Sequence, residues 1–390
     1  MTMMKKRGCG GWRLHWRAFV MLAFIPLLYT IIFGGLFSPH VLTQVPVGIC
    51  NLDGGQQGRV LVREMAQVPE ISLIRETVTK EELDKALEAG EIYGAIVIPP
   101  DFTEGIKSKH PVNVQLYVRN ANTAIGGVIL AAVQGVIGVY SVQVAVQNYI
   151  GAGFPPGQAG AAASQINLRP RILYNSTGSY EDFFLTVLIL HALQIAMVFV
   201  LAPMFTMERL RGEAPGTKSV VLYLLRRICL FGIFGALVMS ACIGYSYSFF
   251  GIAVRGNGLT LCGAVFCFAA CMTAFSLMVG AWAPNPVSSI TYPLFYIMPS
   301  VLFSDAVWPR ASMDALSRFL TFVMPIGYMG NDFRDLLVRG NSPGLLADCA
   351  SLLILGVLFF AFAACGLKRY EAKPEGGEKG EDSHVAVDCA

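Results

Sequence analysis

Residues 183–227 read FFLTVLILHALQIAMVFVLAPMF and then TMERLRGEAPGTKSVVLYLLRR, an uncharged apolar run that passes directly into a basic, polar turn. The first part is long enough to cross a hydrocarbon core of about 30 Å. The second carries Arg209, Arg211, Lys218, Arg226 and Arg227, which the positive-inside rule assigns to the cytoplasmic side. One membrane crossing with a cytoplasmic turn behind it sets the orientation of everything else.

The composition agrees with this reading. Of 390 residues 54% are apolar and only 14% charged, and the mean hydropathy is positive, whereas a soluble domain carries about a quarter charged residues. The chain reads as a polytopic α-helical membrane protein. Its net charge of +3 fits Lys and Arg in cytoplasmic loops and excludes nucleic-acid binding, which needs a clustered basic face. Of the ten cysteines, Cys229, Cys242, Cys262, Cys267, Cys271 and Cys365 lie in apolar runs, where Cys packs as a small hydrophobe. Cys267 and Cys271 share a helix face, but no His or carboxylate lies near them to complete a metal site.

Outward from 183–227, the N-terminal residues 1–17 interleave Lys5, Lys6, Arg7, Arg13 and Arg17 with Trp12 and Trp16, the pattern of a cytoplasmic interfacial helix. Residues 18–37 form an uncharged first span, too long for a secretory signal core. Charge returns over 38–182, where VPVGIC, YGAIVIP and VNVQLYV have strand character. GRVLVREMAQV and TKEELDKALEAGE read as helices between them, the latter with Thr79 and Glu82 spaced as a capping box. This predicts an α/β extracytoplasmic domain inserted between the first and second transmembrane helices.

Residues 124–146 are uncharged and long enough to span. A crossing there would put the basic turn 206–227 outside, opposite the basic N-terminus, so a long helix near 121–150 is expected within the external domain instead. The remaining apolar runs, 228–250, 259–282, 287–304 and 345–366, bring the expected count to six spans with both termini cytoplasmic. Residues 368–390, with Lys368, Arg369 and Lys373 and then a Gly/Glu/Lys-rich stretch, are expected to be a disordered cytoplasmic tail. Between the fifth and sixth spans, residues 305–344 alternate apolar helical pieces with Pro309, Pro325 and Gly327, which suggests either re-entrant or interfacial outer helices.

Little in the chain can power transport. The ionisable residues within the expected spans are His191 and Asp348, too few for a proton relay. GEAPGTKS at 212–219 fails the phosphate-loop spacing, because Thr217 intrudes before Lys218. No catalytic constellation, metal set or resident cofactor is evident, so energy has to enter through a partner. The cytoplasmic turn is the largest ordered surface available to receive it, with Glu208, Arg209, Arg211 and Glu213 as coupling candidates and a break at Pro215 and Gly216.

Several motifs then point to a family: VGICNLDGG at 47–55, GAIVIPPDF at 94–102, VRNANTA at 118–124 and RILYNSTGSYEDFF at 171–184. To these are added Glu208, Arg209, Gly216 and Thr217 in the turn, and Trp308, Pro309, Met324 and Pro325 in the outer region. Over residues 11–370 the chain resembles the integral-membrane permease subunit of type-2 ABC exporters, in the branch with a large external domain. The resemblance implies an ABC ATPase subunit docked on the turn, with ATP and Mg bound there and none in this chain. It also implies a permease homodimer or a heterodimer with a related permease, residence in the bacterial cytoplasmic (inner) membrane, and export of a hydrophobic or amphiphilic drug, lipid or peptide. A periplasmic adaptor is a further candidate partner. In this chain Leu210, Ala214 and Pro215 break the compact charged run that usually precedes the Gly-Thr pair. The competing class is a non-transporting receptor or assembly scaffold that works through the external domain.

Overall fold

A computed structural model describes residues 10–37, 42–77, 79–119, 123–164, 173–175, 179, 181–213 and 220–371. The chain divides into two compact units, 39–173 and the remainder.

The 39–173 unit is built on a four-stranded sheet. Strands β1 (Val45–Asn51), β2 (Ile71–Thr77) and β3 (Gly94–Ile98) are mutually parallel and β4 (Gln115–Val118) runs antiparallel on β3, in the order β2-β1-β3-β4. Parallel neighbours need a crossover, which α2 (Gln56–Ala66) and α3 (Lys80–Ala89) supply. The three expected strands are present, and ISLIRET, which had not been singled out, forms the edge strand β2. Thr79 is the N-cap of α3, but its side chain makes no capping bond, so the expected capping box is not formed.

Two of the motif segments meet in this unit. Asp53, from NLDGG, accepts from Thr103 Oγ1 at 2.6 Å, from the Thr103 amide at 3.2 Å and from the Gly58 amide at 3.1 Å. Thr103 opens the short helix α4 (Phe102–Lys107) just after the IPPDF segment. Burial alone would raise the Asp53 carboxyl, but these hydrogen bonds hold it below the usual range. The long helix α5 (Thr123–Gly151) lays Ile129, Val133 and Tyr140 into the core of the sheet face, and α6 (Pro156–Ala163) follows it. A groove of about 1090 Å³ runs along α5, lined among others by Ile106, Val112, Leu116, Val133 and Ile137.

The second unit is helical: α1 (Gly10–Phe37), α7 (Thr186–Leu210, entered through a π-helical turn at Glu181–Leu185), α8 (Val220–Phe250), α9 (Gly258–Trp282), α10 (Ser288–Ile297), α11 (Ala315–Val323), α12 (Pro325–Val338) and α13 (Leu345–Glu371). Helices α7 and α9 are apolar all round and buried, α9 between α7, α8 and α13. By contrast α1, α8 and α13 expose large side chains such as Phe24, Leu237 and Phe362, the faces an apolar solvent would cover.

Six described helices are long and apolar enough to cross a membrane, the number expected but not the same six. Helix α5 meets that measure, although it packs on the sheet of the 39–173 unit. The expected span 287–304 does not, because it is α10 tightening into a 3-10 turn, Met298–Phe303. Pro293 and Pro299 remove backbone donors there. The two pieces together still reach roughly 27 Å by their rises per residue.

Two boundaries also shift. The interfacial helix expected at 1–17 is, over its described part, continuous with the first span in the single helix α1, since RLHWRAFV holds no Gly or Pro to break the hydrogen-bond ladder. Lys368 and Arg369, expected in the tail, form the last turn of α13, where cations suit the helix dipole. Residues 1–9 and 372–390 lie outside the described residues.

Candidate functional site

The best-organised polar cluster of the helical unit is the end of α7 and the start of α8. Helix α7 does not stop at Pro215 and Gly216, as the sequence suggests. It ends at Leu210 through a Schellman motif: Gly212, at φ +66°, donates to the Arg209 carbonyl at 3.0 Å, and the Glu213 amide donates to the Glu208 carbonyl at 2.9 Å. Glu208 and Arg209 therefore belong to the last turn of a buried helix.

Their surroundings follow from that. Glu208 is 2% exposed. It accepts from Tyr223 Oη at 2.6 Å and receives Arg227 Nη2 at 2.9 Å on each of its two oxygens. Arg227 also stacks over Tyr223, 5.2 Å from the ring centre, so acid, phenol and guanidinium form one closed group across α7 and α8.

Arg209, 6% exposed, turns the other way and donates to the carbonyls of Ala281 and Ala283, where α9 ends. Those carbonyls have no intrahelical donor, so the fork of Arg209 caps α9 in the manner a cation suits. Its other face stacks on Tyr370, 4.9 Å away, at the end of α13. Close approach of α7 and α9 depends on Gly280, where an added Cβ would lie 2.7 Å from Phe205 Cβ. One residue of α7 thus ties together the ends of α9 and α13.

Arg211 and Glu213 are exposed, as is Arg226. Glu213, Tyr223, Arg226 and Arg227 line a groove of about 720 Å³ along the start of α8, together with Leu222, Cys229 and Leu230. Of the coupling candidates, then, two are interior and two face outward, while Gly216 and Thr217 lie outside the described residues. Tyr223 and Arg227 were not singled out in the sequence, where Arg227 counted only as one more cytoplasmic cation. The available signal was the pair of glutamates, Glu208 and Glu213, in a cationic stretch.

The outer-region candidates are not one cluster. Trp308 is exposed and Pro309 leads into a single 3-10 turn, Arg310–Ser312. Met324 and Pro325 separate α11 from α12, with Met324 buried. Tyr296 Oη donates to the Val323 carbonyl at 2.6 Å and Thr321 Oγ1 to that of Phe303 at 2.8 Å, fastening this break to α10 and the 3-10 turn. Helix α12 buries Ile326, Met329 and Phe333 against α7, α9 and α13, whereas α11 leaves Leu316, Phe319 and Phe322 exposed.

Comparison with known proteins assigns this architecture. Residues 16–365 match the family described as ABC-2 family transporter protein. Among curated proteins the chain is similar to the probable multidrug ABC transporter permease YbhS of Escherichia coli (strain K12), 24% identical over 348 residues that cover 86% of this chain and 88% of the relative. The same-named protein of Escherichia coli O157:H7 is similar to the same extent. No solved structure matches the chain. The match over nearly the whole chain, together with six long apolar helices, makes this a multi-pass membrane protein that belongs to the ABC-2 family of transporter permeases.

Proposed function

We propose that this chain is the membrane-spanning subunit of an ATP-driven exporter in a bacterial inner membrane, with both termini cytoplasmic and the 39–173 unit outside. It works as a pair with itself or with a related permease, and moves a hydrophobic or amphiphilic molecule. Family membership implies an ATPase partner. The observation that supports the α7–α8 end as its docking place is the division of labour among four charges. Glu208 and Arg209 are consumed in holding α7 to α8, α9 and α13, while Arg211 and Glu213 stay exposed beside a groove that Arg226 also lines.

In this reading Glu208 and Arg209 are positioning residues that convert a push on the turn into movement of the helix ends. Arg211, Glu213 and Arg226 are the contacts. An external adaptor would meet the 39–173 unit.

The test is recovery of the ATPase subunit with Arg211→Ala, Glu213→Ala and Arg226→Ala at equal membrane abundance. Losing one member of a charge pair desolvated in an interface costs about 2–5 kcal/mol, so at least one variant should lose most of the bound ATPase. Full recovery with all three would remove this surface from consideration. Uptake into inverted vesicles should likewise stop without ATP, and uptake sustained by a proton gradient alone would overturn the exporter reading.

A further inference from the structure

Asp332 of α12 is 3% exposed, next to Met329, Phe333 and Leu336 of the helical core. Its Oδ1 accepts from Ser342 Oγ at 2.6 Å, and its Oδ2 meets no donor. Asp348, in the first turn of α13, turns onto the same spot: a Cβ placed on Gly344 would lie 3.6 Å from Asp348 Oδ2 and 3.8 Å from Asp332 Oδ1. The two carboxyls therefore converge on one place, close enough for each to act on the other's titration. A bond between two carboxyl groups requires a proton on one of them, because an ionised carboxylate can only accept.

The arginines nearby are committed elsewhere. Arg310 lies 3.7 Å from Asp305 and donates to the Gly327 carbonyl, Arg334 donates to the Ala306 carbonyl at 2.8 Å and to Asn331, and Arg339 pairs with Asp335 at 2.7 Å. The field of Arg310 reaches Asp348, but Asp305 opposes it there, and Asp335 adds negative charge around Asp332. Tyr328 and Cys349 also face the pair. Of the other elements packed on α12, α11 brings Arg318, which is held by the Met313 carbonyl, α7 brings His191, and the turn before it Glu181 and Asp182. Helix α9 brings thiols and no charge. Two ionised carboxylates buried together would repel each other and forfeit their hydration. Burial, outweighing the Ser342 bond and reinforced by Asp348 and Asp335, raises the Asp332 carboxyl above the usual range.

We propose that Asp332 and Asp348 together bind one proton, exchanged with solvent water, and that this shared proton clasps α12 to α13. Its loss leaves two carboxylates facing each other between the helices and loosens the outer helix pair. The donor set of two carboxyls and one hydroxyl suits a proton and falls short of the six or so oxygens that a hard cation takes. Nothing in this inference depends on the exporter reading.

The test uses the full chain in lipid nanodiscs, read by infrared spectroscopy and by thermal unfolding across pH. Because the folded carboxyl binds its proton more tightly than the unfolded one, its contribution is present at low pH and is lost as pH rises through the raised pKa. The folding equilibrium should weaken by up to about tenfold per pH unit between the unfolded and folded values. Near pH 5 the wild type should show an un-ionised carboxyl signal that fades as pH rises through about 6 and is absent from both Asp332→Asn and Asp348→Asn, and either variant should flatten the pH dependence. Should Asp332→Asn fail to fold, Asp348→Asn, at a half-buried position, carries the same two readouts. A carboxyl signal untouched by either change, or equal pH slopes in variant and wild type, would overturn the proposal. So would a sodium-dependent stabilisation of the wild type that the variants lack, since it would make the ligand a metal cation.

Discussion

Arg227 reaches Glu208 across a separation of 19 residues and its Nη2 meets both carboxylate oxygens at 2.9 Å, so the end of α7 and the start of α8 are joined by an ion pair with the acid buried. A buried pair of this kind is weak evidence for net stabilisation, because desolvation offsets most of the attraction. Its consequence is specificity of arrangement, since either partner alone is costly.

Glu208→Ala should leave Arg227 and the Tyr223 hydroxyl without their acceptor, and Arg227→Ala should leave a buried carboxylate. Each is expected to cost about 3–5 kcal/mol. The double change Glu208→Ala with Arg227→Ala should cost clearly less than the sum of the singles. Thermal unfolding of the purified chain in nanodiscs measures all three, and additive losses would mean that the pair is not coupled.

Arg209→Lys keeps the charge but loses the fork that reaches two carbonyls of α9 and the flat face that lies on Tyr370. A loss of about 1–3 kcal/mol is expected, from an unsatisfied buried carbonyl. Because the contacts are to helix ends, the same variant should also increase hydrogen exchange at the last turn of α9, and unchanged exchange there would count against the capping role.

Asp53 and Thr103 make a second pH-sensitive joint, of opposite sign to that proposed for Asp332 and Asp348. The Asp53 carboxyl is depressed in the folded unit, so its stabilisation is present above the unfolded carboxylate range and is lost as pH falls through the lowered value. Thr103→Val should cost about 1–3 kcal/mol near neutrality, because it strips a donor from a buried carboxylate, and should reduce the loss on acidification. Chemical denaturation of the full chain at neutral and acid pH reads both effects.

Topology can be tested at α5, which has the length of a span and the packing of a domain helix. In a cysteine-free background, single cysteines at the exposed positions Asp101 and Gln158, on either side of α5, should both react with an impermeant reagent in intact cells. A cysteine at Glu213 should not. Opposite behaviour of the first two positions would make α5 a crossing and would reverse the side assigned to the α7–α8 turn.

Much of this protein was legible from local pattern. Long apolar runs almost free of charge marked α1, α7, α8, α9 and α13, because a helix in lipid has to satisfy its backbone within one segment and therefore leaves an unbroken signature. β-branched content marked β1, β3 and β4. Edge strand β2, with Arg75 and Glu76 in it, carried too weak a signal.

What only the tertiary structure decided are the pairings of residues far apart in the chain. Charge counting set Glu208, Arg209, Arg211 and Glu213 side by side as equals, yet Gly212 ends α7 so that the first two turn inward onto Arg227 and α9 while the others face out. In the sequence Asp332 is one of several acids interspersed with arginines over residues 305–344, and only the packing of α12 on α13 brings it to Asp348. Hydropathy and helix period depend on neighbours within a turn or two and so can be read along the chain. The partner of a buried charge is set by which helices cross, and no local periodicity records that.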